Sequence, residues 1–335
     1  MAVARSLLWL RRPSACAAAA AVAAAAIGGY AAFSFSAQPL EGNRLDRWSL
    51  KWESGQTRWH LPHVHPSLAK YESLLLANEQ HGDESKTSSV FFPLCGASRD
   101  LGYMALRGHH VVGAEGVGKA IDQLFQGFGE ETAIARHLPG LKLRKAATDG
   151  PAGNVISLEV VEGDFLELSA SRAAALGLPR FDAAFDRGSL VAIQPKDRPM
   201  YAAVLDGLMA PGGRILLVTV EHDPFPNGTL GPPFSLLPED VRTLFPNYEV
   251  RQLQRVDNSE DFKARGLSEL FEVTYLLTKP AVAYTKANAA PTRAERDAAL
   301  IKDALAKGRI GVSLGGDGPI RAVGPPQVAG AQVRS

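Results

Sequence analysis

Gly96 and Glu115 stand nineteen residues apart, and that interval suits the grip of a nucleoside. Gly96 lies in VFFPLCGASRDLG, where a β-favouring run gives way to a turn and then to a helix start. A residue without Cβ lets the backbone bend sharply there and come close to a ligand, and the helix N-terminus that follows favours polar groups. Glu115 closes the next apolar run, HHVVGAE, near the spacing at which a carboxylate accepts hydrogen bonds from ribose hydroxyls. The loop lacks a full G-x-G-x-x-G, so it offers few amides to a pyrophosphate and suits a cofactor without phosphates. A plain turn beside a solvated carboxylate is the bland alternative on spacing alone. His60, His63 and His65 cluster as zinc ligands do, but prolines interrupt them and no cysteine accompanies them, so no metal is expected. Cys95, in a tight strand-to-helix loop, is expected to pack rather than react.

These residues need elements to hold them. HPSLAKYESLLLANE has the apolar period of a helix, Val90 to Phe92 reads as a first parallel strand, and a helix is expected over about 98–106. HHVVGAE reads as a second strand and Lys119 to Arg136 as a helix, followed by strands ISLEVVEGDF, FDAAFDRG and RILLVTVE, with SASRAAAL as a short helix among them. YEVRQLQRVD and LFEVTYLLTK have no crossover helix between them, so they are expected to pair antiparallel at the sheet edge. The result is an α/β chain with a doubly wound, seven-stranded sheet, which holds ligands at the carboxyl ends of its strands.

The 335 residues divide into three stretches. Residues 1–43 carry Arg5, Arg11 and Arg12, no acid before Glu41, and a nearly continuous apolar run over 15–33. Such a start reads as a mitochondrial or other organelle-targeting segment or as a membrane anchor, with any membrane contact made through 15–33; if it does neither, the chain is cytoplasmic. Residues 44–280 form the domain. Residues 281–335 hold one Ala, Lys and Arg-rich helix near 292–307 and a Gly, Pro and Val tail. Lys and Arg total 36 against 35 Asp and Glu, so no whole-chain field favours nucleic acid. A monomer acting on a small molecule is the expectation.

Four blocks in order, VFFPLCGASRDLGYMALRGHHVVGAE, FDAAFDRGSLVAIQP, GPPFSLLPEDVRTLF and FEVTYLLTK, resemble the thiopurine S-methyltransferase family over about residues 45–279. The resemblance implies a Rossmann-like fold, S-adenosyl-L-methionine as cofactor, and methyl transfer to the sulfur of a small aromatic or heterocyclic thiol. It also implies roles. Trp48 and Trp52, which share a helical face, resemble tryptophans of a segment that closes over the cofactor. Leu94 and Gly96 fall at its methionine end, Glu115 at the ribose, and Gly163 and Asp164 at the adenine. Arg187 resembles an arginine near the cofactor carboxylate and the acceptor, its rival role being an ion pair with Asp186. Trp59 with Pro232, Pro233 and Phe234 resembles the acceptor wall, and His222 is the candidate proton acceptor.

The chain departs from the family pattern in places. Ala97 replaces a lysine after PLCG, Gly-Val-Gly follows Glu115, and His222 stands where a tyrosine is usual. The family's second substrate-side arginine has no counterpart, Asp261 falling near it. The rival readings are therefore a methyltransferase for thiocyanate, halide or sulfide, a non-catalytic S-adenosylmethionine-binding protein, and an oxidoreductase.

Overall fold

The computed structural model describes residues 44–77, 87–132, 136–150 and 153–281. The expected segments at 1–43 and 292–307 lie outside the described residues. The chain separates into two units, Met1–Val282 and Ala283–Ser335, and everything described belongs to the first.

Helices α1 (Asp46–Glu53) and α2 (Pro66–Leu75) precede the sheet. Then come β1 (Ser89–Phe92), α3 (Arg99–Leu106), β2 (His110–Glu115), α4 (Gly118–Phe128), β3 (Glu130–Glu131), β4 (Arg136–Leu138), β5 (Leu141–Asp149) and β6 (Val155–Gly163). The second half runs α5 (Ala170–Ala175), β7 (Phe181–Arg187), α6 (Arg198–Leu208), β8 (Met209–His222), α7 (Pro238–Leu244), β9 (Glu249–Asp257), α8 (Ser259–Phe262) and β10 (Leu270–Thr278). The strand order is β3-β5-β6-β2-β1-β7-β8-β10-β9, with β4 paired to β5.

Both faces of the central strands are covered, as a parallel sheet requires. Alternation along β1 sends Phe91 into one core and Val90 and Phe92 into the other. The Phe91 side packs with Tyr201, Leu205 and Val241 from α6 and α7; the opposite side packs with Leu68, Leu101 and Ile121 from α2, α3 and α4. Each buried aromatic or aliphatic side chain contributes about 1.5–3 kcal/mol by leaving water.

The chain works outward from β1 through β2 to β6, then returns to the other flank of β1 with β7 and β8. The switch point therefore lies at the carboxyl ends of β1 and β7, where Leu94, Gly96 and Arg187 stand. The expected terminal pair is present: β10 runs antiparallel between β8 and β9.

Two expectations are corrected. The sheet has ten strands among the described residues rather than seven, because β3, β4 and β5 add an antiparallel edge beside β6. The helix expected to reach Arg136 stops at Phe128, where Gly129 lets the chain pass against β5: a Cβ there would lie 2.2 Å from the Ala147 carbonyl oxygen. Arg136 itself is in β4.

Candidate active site

After β1 the chain turns through Leu94 at φ 42° and Gly96 at φ 52°. A leucine in the left-handed region is strained, and strain of this kind is retained where surrounding structure dictates it. Ser98 ends the turn, its hydroxyl accepting from the Asp100 amide to cap α3.

Glu115 fastens this turn to the end of β2. One carboxylate oxygen accepts from the Gly96 amide at 2.9 Å and the other from the Val117 amide at 2.8 Å. Burial pushes its pKa up, while the amides of Val117, Gly96 and Gly116 hold it back. Each oxygen keeps a second lone pair, so the group can accept two hydroxyls while it organises the loop. Register places Glu115 beside Glu162, the last acidic residue of β6.

Gly163 and Asp164 follow at the next strand end. Gly163 has φ 145°, and a Cβ there would strike the Gly140 carbonyl oxygen at 2.3 Å, so the position admits only glycine. Asp164 is not merely solvated. One oxygen accepts from the Leu166 amide at 3.0 Å, and the other pairs with Arg44 at 2.9 Å. A cavity of about 440 Å³ opens here between Gly116, Gly163 and the hairpin residues Leu138, Gly140 and Leu141. Neither Arg187 nor a tryptophan lines it.

Helix α1 roofs the turn. Trp52 is buried, and a Cβ on Gly96 would lie 3.1 Å from its ring. Leu45 packs so closely on Gly116 that a Cβ there would meet it at 2.5 Å. Trp59 stands edge-on to Trp48 at 5.3 Å and to Trp52 at 6.1 Å, so the expected pair of tryptophans is in fact a three-ring cluster. Glu53 ties α1 to α4 through Lys119 at 3.0 Å.

Arg187, at the end of β7, donates to the Trp59 carbonyl oxygen at 2.5 Å. Its rival ion pair with Asp186 is not formed: strand alternation turns Asp186 the other way, where it accepts from Tyr201 at 2.7 Å and from the Leu190 amide at 3.1 Å. Burial lowers the Arg187 pKa, and Glu272 and Asp100 oppose that shift. The guanidinium stays charged, with the carboxylates of Glu272 and Asp100 near enough to act on it.

Pro232, Pro233 and Phe234 lie in the loop between β8 and α7. Phe234 is buried and its amide donates to the Val191 carbonyl at 2.7 Å. His222, at the end of β8, lies with Nδ1 2.6 Å from the Asp223 carbonyl oxygen and Nε2 3.0 Å from that of Pro233. Both ring nitrogens lie near carbonyl oxygens, and a neutral ring donates to one of them while the other nitrogen keeps its lone pair. The ring ties the proline loop to the end of β8.

Two cations set against aromatic rings were not singled out from sequence. Lys51 Nζ lies 5.3 Å from the Trp48 and Trp59 ring centres. Arg265 lies 4.5 Å over Phe225 and donates to the Pro232 carbonyl oxygen. The first was legible in principle, three residues from Trp48 on a helix. The second depends on how the chain folds after α8.

His63 and His65 do not join His60 around a common centre. His65 caps α2, its Nδ1 accepting from the Ser67 amide, and its Nε2 lies 3.6 Å from Glu272. Among the described residues, no group of three or more His, Cys, Asp or Glu is arranged to hold a metal ion. Cys95 is buried under Gly113, and burial followed by the Glu115 charge pushes its thiol pKa well up, which leaves it a poor nucleophile.

A glycine turn after the first strand, held by an acid closing the second, in a doubly wound sheet whose final strand runs antiparallel, defines a class I S-adenosylmethionine-dependent methyltransferase. The family model of thiopurine S-methyltransferase (TPMT) matches residues 43–280. A probable thiopurine S-methyltransferase of Danio rerio is 35% identical over 248 residues, covering 72% of this chain and 98% of that one. The thiopurine S-methyltransferase of Bos taurus is 33% identical over 241 residues, covering 70% and 89%. That of Aliivibrio fischeri is 32% identical over 232 residues, covering 69% and 97%. The chain belongs to the thiopurine S-methyltransferase family, as its sequence blocks suggested, and S-adenosylmethionine is its cofactor.

Proposed function

We propose that this chain methylates the sulfur of a small aromatic or heterocyclic thiol, with Glu115, Gly96 and Leu94 holding the donor and Arg187 and Trp59 meeting the acceptor. The observation that carries the reading is the hydrogen bond from Arg187 to the Trp59 carbonyl, which joins the floor of the acceptor side to the lid over the donor side. Gly163 and Asp164 flank the adenine in this reading, with the cavity beside Gly116 as its seat.

Bound S-adenosylmethionine supplies a methyl group on a sulfonium centre. The protein's part is alignment and dryness, since a thiolate needs little acid or base help once it faces that carbon. Trp48, Trp52 and Trp59 exclude water. Arg187 favours the anionic form of the acceptor sulfur through charge, so the thiol proton leaves to solvent before transfer and no protein base is required. The aromatic and proline walls suit a flat ring, whereas thiocyanate, halide or sulfide would leave them without contact.

Incubation with methyl-labelled donor and a panel of aryl thiols tests the reading, which predicts label on sulfur. Donor binding without labelled product from any thiol would overturn it. Replacing Arg187 with Met is expected to lower kcat/KM for thiols by about 10²-fold, by analogy with the loss of one charge-stabilising donor. Residues 1–43 would direct or anchor the domain to a mitochondrion or another organelle, and the domain itself would work as a monomer; light scattering checks the second point. Among the described residues, no helix is long and apolar enough to cross a membrane.

A further inference from the structure

Arg187 removes the need for a protein base only where the acceptor thiol already ionises in water. A thiol that is mostly S–H at neutral pH must pass its proton to a group inside the dry cleft, and His60 stands where such a group is needed.

Contacts on either side fix its position. The Trp59 carbonyl, half of the peptide bond that leads into His60, takes the Arg187 hydrogen bond at 2.5 Å, so covalent geometry keeps His60 close to that guanidinium. The His60 ring lies 6.2 Å from the Trp52 ring, whose benzene edge covers Gly96 in the turn after β1. Further along, the His65 amide donates to the Asp100 carboxylate at 2.7 Å, which pins the 60–65 stretch to the first turn of α3. The imidazole is therefore set between the turn that is to hold the donor and the arginine that is to meet the acceptor.

Its chemistry suits a proton acceptor. The ring is half-buried, and among the described residues no hydrogen bond engages either of its nitrogens. The His65 ring, by contrast, accepts from the Ser67 amide, and the His222 ring lies against two carbonyl oxygens. Burial, followed by the charges of Arg99 and Arg187, holds the His60 pKa below the ordinary 6.5, with Asp100 opposing. The ring is thus neutral at pH 7 and has a lone pair to offer.

We propose that His60 is the general base for weakly acidic acceptors: a ring nitrogen takes the thiol proton as the acceptor sulfur attacks the donor methyl. The S–H bond breaks while an N–H bond forms on the imidazole. The freed sulfur pair makes the new bond to the methyl carbon, and the pair of the broken C–S bond stays on the donor sulfur. The products are a thioether, S-adenosylhomocysteine and an imidazolium, which gives its proton to water once the cleft opens. Arg187 favours the developing thiolate and Asp100 the imidazolium. The inference rests on the methyl-transfer reading and divides its substrates into thiols that need a base and thiols that do not.

The test uses the full chain with para-nitrothiophenol, which is ionised at neutral pH, and phenylmethanethiol, which is almost wholly S–H there. His60→Gln should lower kcat/KM for phenylmethanethiol by about 10²-fold, the contribution of a positioned base, and that for para-nitrothiophenol by less than about twofold. Above neutrality the unmodified chain should methylate phenylmethanethiol at a rate nearly independent of pH, whereas the variant should gain about tenfold per pH unit until the thiol itself ionises. The nitro thiol guards against misfolding, since a damaged lid would slow both substrates alike. Equal losses on both thiols, an undiminished rate on phenylmethanethiol, or one pH profile shared by both chains overturns the base. So does a selective loss in His222→Gln that His60→Gln does not produce. Label on para-nitrothiophenol alone in the unmodified chain overturns the base and leaves the methyl-transfer reading standing; label on neither thiol overturns both.

Discussion

Glu115 organises the loop and, in our reading, holds the ribose, so its removal should be felt twice. Glu115→Ala frees the amides of Gly96 and Val117 in a buried place and deletes the acceptor for sugar hydroxyls. We expect S-adenosylhomocysteine affinity to fall by at least about 2–3 kcal/mol by calorimetry, and undiminished affinity would remove the basis of the cofactor assignment. Asp186 gives a different signal. Burial raises its pKa from 3.8 to about 6, with the Tyr201 hydroxyl and the Leu190 amide opposing. A folded-state pKa above the unfolded one means the folded protein binds the extra proton. The stability this brings is therefore full below about pH 4 and lost as pH rises through about 6. Asp186→Asn, followed by Tm across that window, should flatten this part of the decline, and an unchanged slope would contradict it. At this scale the sequence singled out residues by type, and the structure joins two of them, Gly96 and Glu115, in one hydrogen bond. The neighbours of the His222 ring were not legible, because the carbonyl oxygens of Asp223 and Pro233 come from a loop whose path has no sequence period.

Elements with a clear apolar period were legible: all seven expected strands exist, and Ser98 caps α3 at the expected boundary. The hairpin of β4 and β5 was not, because β5 buries a charged residue. Arg144 is satisfied by Glu131 at 2.6 Å and Asp122 at 2.7 Å, with Glu162 at 3.3 Å, so LKLRKAATD looks like a solvated stretch although it lies in the sheet. The hairpin's backbone sits hard against Gly163. Gly163→Ala should be strongly destabilising, by about 2–4 kcal/mol in chemical denaturation, since the clash is with backbone and the φ is unsuited to alanine. Gly116→Ala meets only the mobile end of Leu45, so the fold should survive while α1 is lifted. The expected result is faster S-adenosylhomocysteine release in stopped-flow tryptophan fluorescence at nearly unchanged Tm.

For the molecule as a whole, the family model matches residues 43–280 and the first compact unit ends at Val282. A chain of residues 41–281 should bind S-adenosylhomocysteine as tightly as the full one. Imaging the two with a common tag should reveal a change of compartment; identical distributions would leave residues 1–43 without an address-giving role. The bond between Arg187 and the Trp59 carbonyl has a kinetic corollary. In our reading one side of the thiol's chamber is furnished by the same segment that shuts over the sulfonium compound, so the empty enzyme would present an unfinished berth to its second reactant. Substrates should then enter in a fixed sequence, donor leading and thiol following, and S-adenosylhomocysteine should be the last to depart. In product-inhibition plots it would compete with the donor and not with the thiol.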